Sequence, residues 1–148
     1  VAKLQAAGCN ALGFSGADGN IIPATRRAAK PIDYGFVGDI DSSKINTQLL
    51  ATLLESGVTP VFCAITHDGN GSLLNSNADS VASAVATALA QKYEVELVFT
   101  LDKPGVLLDV NDDNSLTVSS LSSSIAITRQ KYSLLSSINP KSRVIFGV

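Results

Sequence analysis

Two short apolar runs, each set directly behind a segment with helical periodicity, constrain this chain more than any other feature. The first is Pro60-Val61-Phe62-Cys63-Ala64-Ile65 and the second is Val95-Glu96-Leu97-Val98-Phe99-Thr100. A short apolar run bounded by turn residues is the pattern of a strand covered on both faces. Ahead of the first run, Lys44 to Ser56 carries Ile45, Leu49, Leu50, Leu53 and Leu54 on one stripe. Asp41 or Ser42 stands ready to cap its start and Gly57 to end it. Ahead of the second, Asn77 to Gln91 reads as another helix. Helix, strand, helix, strand with short connections predicts an α/β domain with a largely parallel sheet flanked by helices.

The rest of the chain is less strongly patterned. Val1 to Ala7 reads as the end of a helix, Ala11 to Phe14 as a short apolar stretch, and Ser15 to Asn20 as a turn-rich loop. Ile21 to Lys30 suggests a short hairpin made basic by Arg26, Arg27 and Lys30, which form either a solvated face or the rim of an anion site. Beyond Leu108, Asp109 to Asn114 is a polar loop, Ser122 to Leu135 reads as a capped helix, and Arg143 to Val148 as the start of a strand. No internal repeat is visible.

Composition removes several classes of function. Apolar residues make up 45% of the 148 and charged residues 16%, the profile of a folded globular protein. A net charge of -2 implies no nucleic-acid partner. No stretch approaches the roughly 20 apolar residues that span a bilayer, so no membrane partner is expected. The opening VAKLQAAGCN is expected to be helix and not signal peptide. Cys9 and Cys63, far apart and without CxxC spacing, read as small buried hydrophobes in the reducing compartment of a cytoplasmic protein and not as a disulfide. The chain opens on Val1 and contains no methionine, which suggests part of a longer natural chain; an intact mass of 15.3 kDa would overturn that.

Chemistry is expected outside the carboxyl ends of the strands, where loops lead into helix N-termini. The loop after the first strand, Thr66 to Asp79, ends with Asn75, Asn77 and Asp79 at alternate positions around a helix start. Two readings stand side by side. Asn and Ser cap helices, and an Asp in the first turn gains about 0.3–1 kcal/mol from the helix dipole without any function. Equally, amide side chains and free N–H groups at a helix start form a seat for a carboxylate or phosphate. Asp68-Gly69-Asn70-Gly71 is an ordinary hairpin turn by residue type. His67 with one neighbouring Asp is a poor metal site, and no metal ligand set is expected. There is no Walker A motif, no GxGxxG and no nucleophile motif beside the lone histidine. Asp109, Asn111 and Asp113 match the first ligands of a calcium loop, but Asn114 and Ser120 stand where Gly and Glu are required.

Taken with its surroundings, Leu74-Asn75-Ser76-Asn77-Ala78-Asp79 resembles the N-x-N-A-D signature of the acetylglutamate kinases, within the amino-acid kinase family. Upstream, Asp33-Tyr34-Gly35-Phe36-Val37-Gly38-Asp39-Ile40 resembles their D-G-x-V-G segment. Downstream, Asp102-Lys103-Pro104-Gly105-Val106-Leu107 resembles their D-x-x-G-V-L loop. The resemblance runs from about Val1 to Asp113. It implies a three-layer α/β/α sandwich forming a single domain over residues 1–148. It also implies transfer of the γ-phosphoryl group of ATP, with Mg2+, to the side-chain carboxylate of an N-acylated glutamate. N-acetylglutamate and N-succinylglutamate are both admissible acceptors, and the reaction is an early step of arginine synthesis. Family members are commonly homodimers or larger.

The same resemblance implies roles for particular residues. Asn75 and Asn77 hold the acceptor's α-carboxylate and amide, and Asp79 organises the catalytic lysines. Ile138-Asn139-Pro140-Lys141 resembles the G-M-x-P-K segment, which makes Lys141 the second of those lysines. Thr100, Asp102 and Gly105 fall beside the nucleotide, although Leu101 stands where many members have Ser or Thr. The family's first lysine, its paired glycines and its substrate arginine have no counterpart here, so an amino-terminal part missing ahead of Val1 and an incomplete carboxyl-terminal part are expected. Two rivals remain: a uridylate, aspartate or glutamate 5-kinase of the same family, and a non-catalytic ligand-binding module of the same fold.

Overall fold

The computed structural model describes the backbone of residues 1–101, 125–129 and 143–145, and side chains through Leu97. The chain divides into two compact units, Val1–Ala88 and Leu89–Val148.

The first unit opens with helix α1 (Ala2–Ala6), as expected, and the short apolar stretch after it forms strand β1 (Ala11–Phe14). Strand β4 (Thr59–Phe62) lies parallel to β1, with Ala11 opposite Thr59 and Phe14 opposite Phe62. Between them runs helix α2 (Thr47–Glu55), the crossover that a parallel pair requires. Its Leu-rich sequence favours helix, and it buries Leu50 and Ala51, with Ile45 buried just ahead of it. The cap differs from expectation. Asp41 caps only a 3₁₀ turn (Ser42–Lys44), while the Asn46 side chain accepts the N–H of Leu49 and starts α2 itself. Gly57, at φ 74°, ends the helix, with its N–H on Leu54 and that of Val58 on Leu53.

Three expectations fail in this unit. Ile21 and Ile22 are fully buried and belong to no short hairpin. The hairpin is larger: β2 (Ala24–Arg26) pairs antiparallel with β3 (Gly38–Ile40), closing the intervening residues into one loop. The apolar run at Pro60 is not one strand covered on both faces either. It breaks after Phe62, leaves Cys63 exposed, and resumes as β5 (Ile65–His67), which pairs antiparallel with β6 (Leu73–Asn75). The polar turn between these strands permits a reversal that an apolar run alone does not signal. Nor are the cysteines buried hydrophobes: Cys9 is half-buried, and Cys63 is exposed where the run breaks. Helix α3 (Ala78–Leu89) follows, burying Val81, Ala82, Val85, Ala86, Ala88 and Leu89 as a single stripe.

In the second unit β7 (Glu96–Leu101) lies between the other two described strands, parallel to both β8 (Ile125–Arg129) and β9 (Arg143–Ile145). The buried-type strand is therefore paired on both sides, as its composition requires. The helix expected over Ser122 to Leu135 contains β8 instead. Ile125-Ala126-Ile127-Thr128, rich in β-branched residues, fits a strand better than the helix its flanking serines suggested. The expected polar loop at Asp109 lies outside the described residues.

Candidate functional site

The candidate site is built where three strands of the first unit meet the start of α3. In Leu73-Leu74-Asn75-Ser76-Asn77 burial alternates residue by residue: Leu74 and Ser76 are buried, while Leu73, Asn75 and Asn77 are exposed. This period of two turns the paired asparagines to the same, outward side. Asn75 sits between neighbours on both flanks. It lies opposite Ile65 on β5 and bridges in parallel to Val37, with its N–H donated to the Phe36 carbonyl at 2.7 Å. Its side-chain amide makes no hydrogen bond among the described residues.

Asn77 is the N-cap of α3. Its Oδ1 accepts the N–H of Ser80 at 2.9 Å and the Ser80 hydroxyl at 3.3 Å, and the Val81 N–H on its carbonyl, at 3.0 Å, opens the helix. The N–H groups of Ala78 and Asp79 precede that first bond and lie at the positive end of the helix dipole. Asp79 is exposed in the first turn and pairs with no cation among the described residues. The Asn77 oxygen thus serves the helix, and its amino group makes no hydrogen bond among the described residues.

Behind this outward face lies a buried polar connection that sequence reasoning missed. The Ser76 hydroxyl, on a residue 5% exposed, donates to the Gly38 carbonyl at 3.0 Å and lies 2.9 Å from the hydroxyl of fully buried Thr66. The Ser76 N–H donates to the Ala64 carbonyl at 2.9 Å. Gly38 is required by close approach, since a Cβ there would stand 2.9 Å from both Leu74 Cβ and Thr66 Oγ1. No local sequence signal marks it, since Ser76 stands between two asparagines and its partners lie far away in the chain.

The β5–β6 turn forms as its residue types require, with Gly69 at φ 76° and Gly71 at φ 98°. Asp68 accepts the N–H groups of Asn70 (2.7 Å) and Ser72 (3.1 Å) on one oxygen. Those two bonds, Asn70 foremost, hold its carboxyl below the ordinary carboxylate range. His67 faces inward, its Nδ1 accepting the Gly69 N–H at 3.2 Å and its Nε2 buried without a partner. Among the described residues no cluster of three His, Cys, Asp or Glu side chains gathers around it.

In the basic stretch both arginines meet carboxylates on an exposed face. Arg27 pairs with Asp39 across the β2–β3 ladder and lies over the Tyr34 ring, while Arg26 reaches Asp33 and covers Phe36. Thr100 lies on strand β7, opposite Thr128. Asp102, Gly105 and Lys141 lie outside the described residues, as does the Asp109 to Ser120 stretch. No described helix is long and apolar enough to cross a membrane.

Comparison with known proteins identifies the family. The amino acid kinase family profile matches residues 1–132. An acetylglutamate kinase from Phocaeicola vulgatus is 51% identical over 116 residues, covering 78% of this chain and 44% of that one. One from Azobacteroides pseudotrichonymphae is 53% identical over the same shares. One from Methanopyrus kandleri is 38% identical over 120 residues, 78% of this chain and 47% of its own. The crystal structure of smu.665 from Streptococcus mutans superposes with a TM-score of 0.56 at 28% identity, over 73% of this chain and 43% of that one. The chain thus spans somewhat under half the length of these relatives. Profile, relatives and fold agree: the chain belongs to the amino acid kinase family.

Proposed function

We propose that the protein of which this chain is part phosphorylates the side-chain carboxylate of an N-acylated glutamate, with N-acetylglutamate as the first candidate and N-succinylglutamate as its variant. ATP is the donor, and Mg2+ would neutralise charge on its phosphates. The reaction belongs to arginine biosynthesis, in the cytoplasm, carried out by a single amino-acid kinase domain that assembles as a dimer or larger homo-oligomer. One observation carries the reading: the alternation that buries Leu74 and Ser76 and turns Asn75 and Asn77 outward at the positive end of α3. It is supported by the names of the relatives, each an acetylglutamate kinase.

The chemistry asks little of a general base. The acceptor carboxylate is already charged and attacks the terminal phosphorus, forming the acyl phosphate as the bond to ADP breaks. Catalysis is then positioning plus stabilisation of moving charge. In this reading the Asn75 amide and the Asn77 amino group donate to the acceptor's α-carboxylate and amide, and the N–H groups of Ala78 and Asp79 add positive potential. Asp79 keeps the catalytic lysines charged and aimed, because a nearby opposite charge favours the ammonium form; Lys141 is the proposed second lysine. Thr100, Asp102 and Gly105 are the proposed nucleotide contacts.

The test is ADP release by the full-length protein with N-acetyl-L-glutamate, N-succinyl-L-glutamate, UMP, L-aspartate and L-glutamate offered singly. Turnover with an N-acylated glutamate alone is expected. Turnover only with one of the others would assign a sister activity, and calorimetric binding without turnover would make the protein a ligand-binding module.

A further inference from the structure

We propose that Ser76 is a positioning residue for the acceptor site, acting through its buried hydroxyl on the aim of Asn75 and Asn77. The inference rests on the acceptor reading given above. A hydroxyl has one proton, and that of Ser76 goes to the Gly38 carbonyl, which can only accept. The Thr66 proton is therefore the one shared between the two hydroxyl oxygens at 2.9 Å, with the Leu74 carbonyl at 3.3 Å as its second acceptor. The result is a directed run from Thr66 on β5, through Ser76, to Gly38 on β3. It ties the β6–α3 junction to two other strands by side-chain bonds, in a buried setting where such bonds are strong and costly to leave unmade.

The junction needs this tie because the ladder ends there. β6 pairs with β5 only through Asn75, and α3 begins at Ala78, so Ser76 and Asn77 lie between two regular elements. The Ser76 N–H on Ala64 and the Ser76 hydroxyl on Gly38 fix that short span from both sides. Rotation at Ser76 would turn the side chains on either side of it, which are the two proposed acceptor contacts. Displacements of about 1 Å in such contacts can lower rates by about 100-fold.

Steady-state kinetics of the full-length protein, with N-acetyl-L-glutamate and ATP varied in turn, tests the proposal. Ser76→Ala is expected to raise the acceptor KM about fivefold or more while the ATP KM stays within about twofold. Thr66→Val should raise it less, since the bond to Gly38 survives, and Thr66→Ser should restore the wild-type value. A merely structural role would lower the melting temperature of Ser76→Ala and leave the acceptor KM unchanged, and that result overturns the proposal, as does an equal rise in both KM values. If Ser76→Ala does not fold, the Thr66→Val and Thr66→Ser pair decides on the same criterion. Absence of N-acetyl-L-glutamate binding to the wild-type protein by calorimetry would instead overturn the acceptor reading itself.

Discussion

The Oδ1 of Asn77 receives the Ser80 N–H at 2.9 Å, so one of the two outward asparagines is committed through its oxygen to starting α3. Asn and Asp cap helices about equally well, and replacing either by Ala costs about 1 kcal/mol. Asn77→Ala should therefore lower unfolding free energy by about that amount, while Asn77→Asp should leave it nearly unchanged. Both variants lose the amino group and should bind acceptor more weakly. Denaturant unfolding alongside acceptor titration separates the two roles.

Asn75 carries no such commitment. Its backbone is fixed by Ile65 and Phe36, and its side chain is exposed. Asn75→Ala should leave the melting temperature close to wild type and raise the acceptor KM. Unchanged acceptor saturation in the full-length protein would remove Asn75 from the binding site.

Asp79 shares the helix start but caps nothing: its carboxylate is exposed at the second helical position, and the cap is Asn77. An exposed first-turn Asp contributes only about 0.3–1 kcal/mol through the dipole. Asp79→Asn should therefore spare the fold and lower kcat about tenfold or more if the carboxylate orders the lysines. Wild-type turnover in that variant would return Asp79 to a dipole role alone.

Gly38 is sterically confined. A Cβ would meet Leu74 Cβ and Thr66 Oγ1 at 2.9 Å each, and both partners are buried. Overpacking of this kind costs about 1–3 kcal/mol. Gly38→Ala should show that loss in chemical denaturation, together with a raised acceptor KM as β3 moves away from Ser76.

What was legible in the sequence follows from where the signal is local. Helices α2 and α3 announce themselves by apolar spacing, Gly57 by its place after the last leucine, and the β5–β6 turn by Asp68-Gly69-Asn70-Gly71, because each depends on neighbours a few residues away. The Thr66–Ser76–Gly38 connection depends on residues up to 38 positions apart, and nothing in a serine between two asparagines declares that its hydroxyl points inward. The β5 strand was hidden for a related reason. Ile65 continues an apolar run by composition, but its partner is Asn75, a residue with low strand preference that pairs because Val37 and Ile65 flank it. Strand β8 was mistaken for helix because serines resemble caps, whereas Ile125 and Ile127 satisfy the register of β7.

Asp68 gives the fold a predictable response to acid. Its carboxyl, held low by the N–H groups of Asn70 and then Ser72, ionises at lower pH in the folded chain than in the unfolded one, where an ordinary Asp titrates near about 3.9. The unfolded chain therefore binds the proton first as pH falls. The charged form's contribution is fully present above the unfolded value and is lost as pH drops through the folded one. Asp68→Asn keeps an acceptor oxygen but no titration, so wild type should be the more stable protein near neutrality, by an amount that does not change down to about pH 5. Below that the two melting temperatures should converge, as the wild-type carboxylate takes up its proton. A gap that persists unaltered into strong acid would show that the difference between the two side chains does not come from the Asp68 charge.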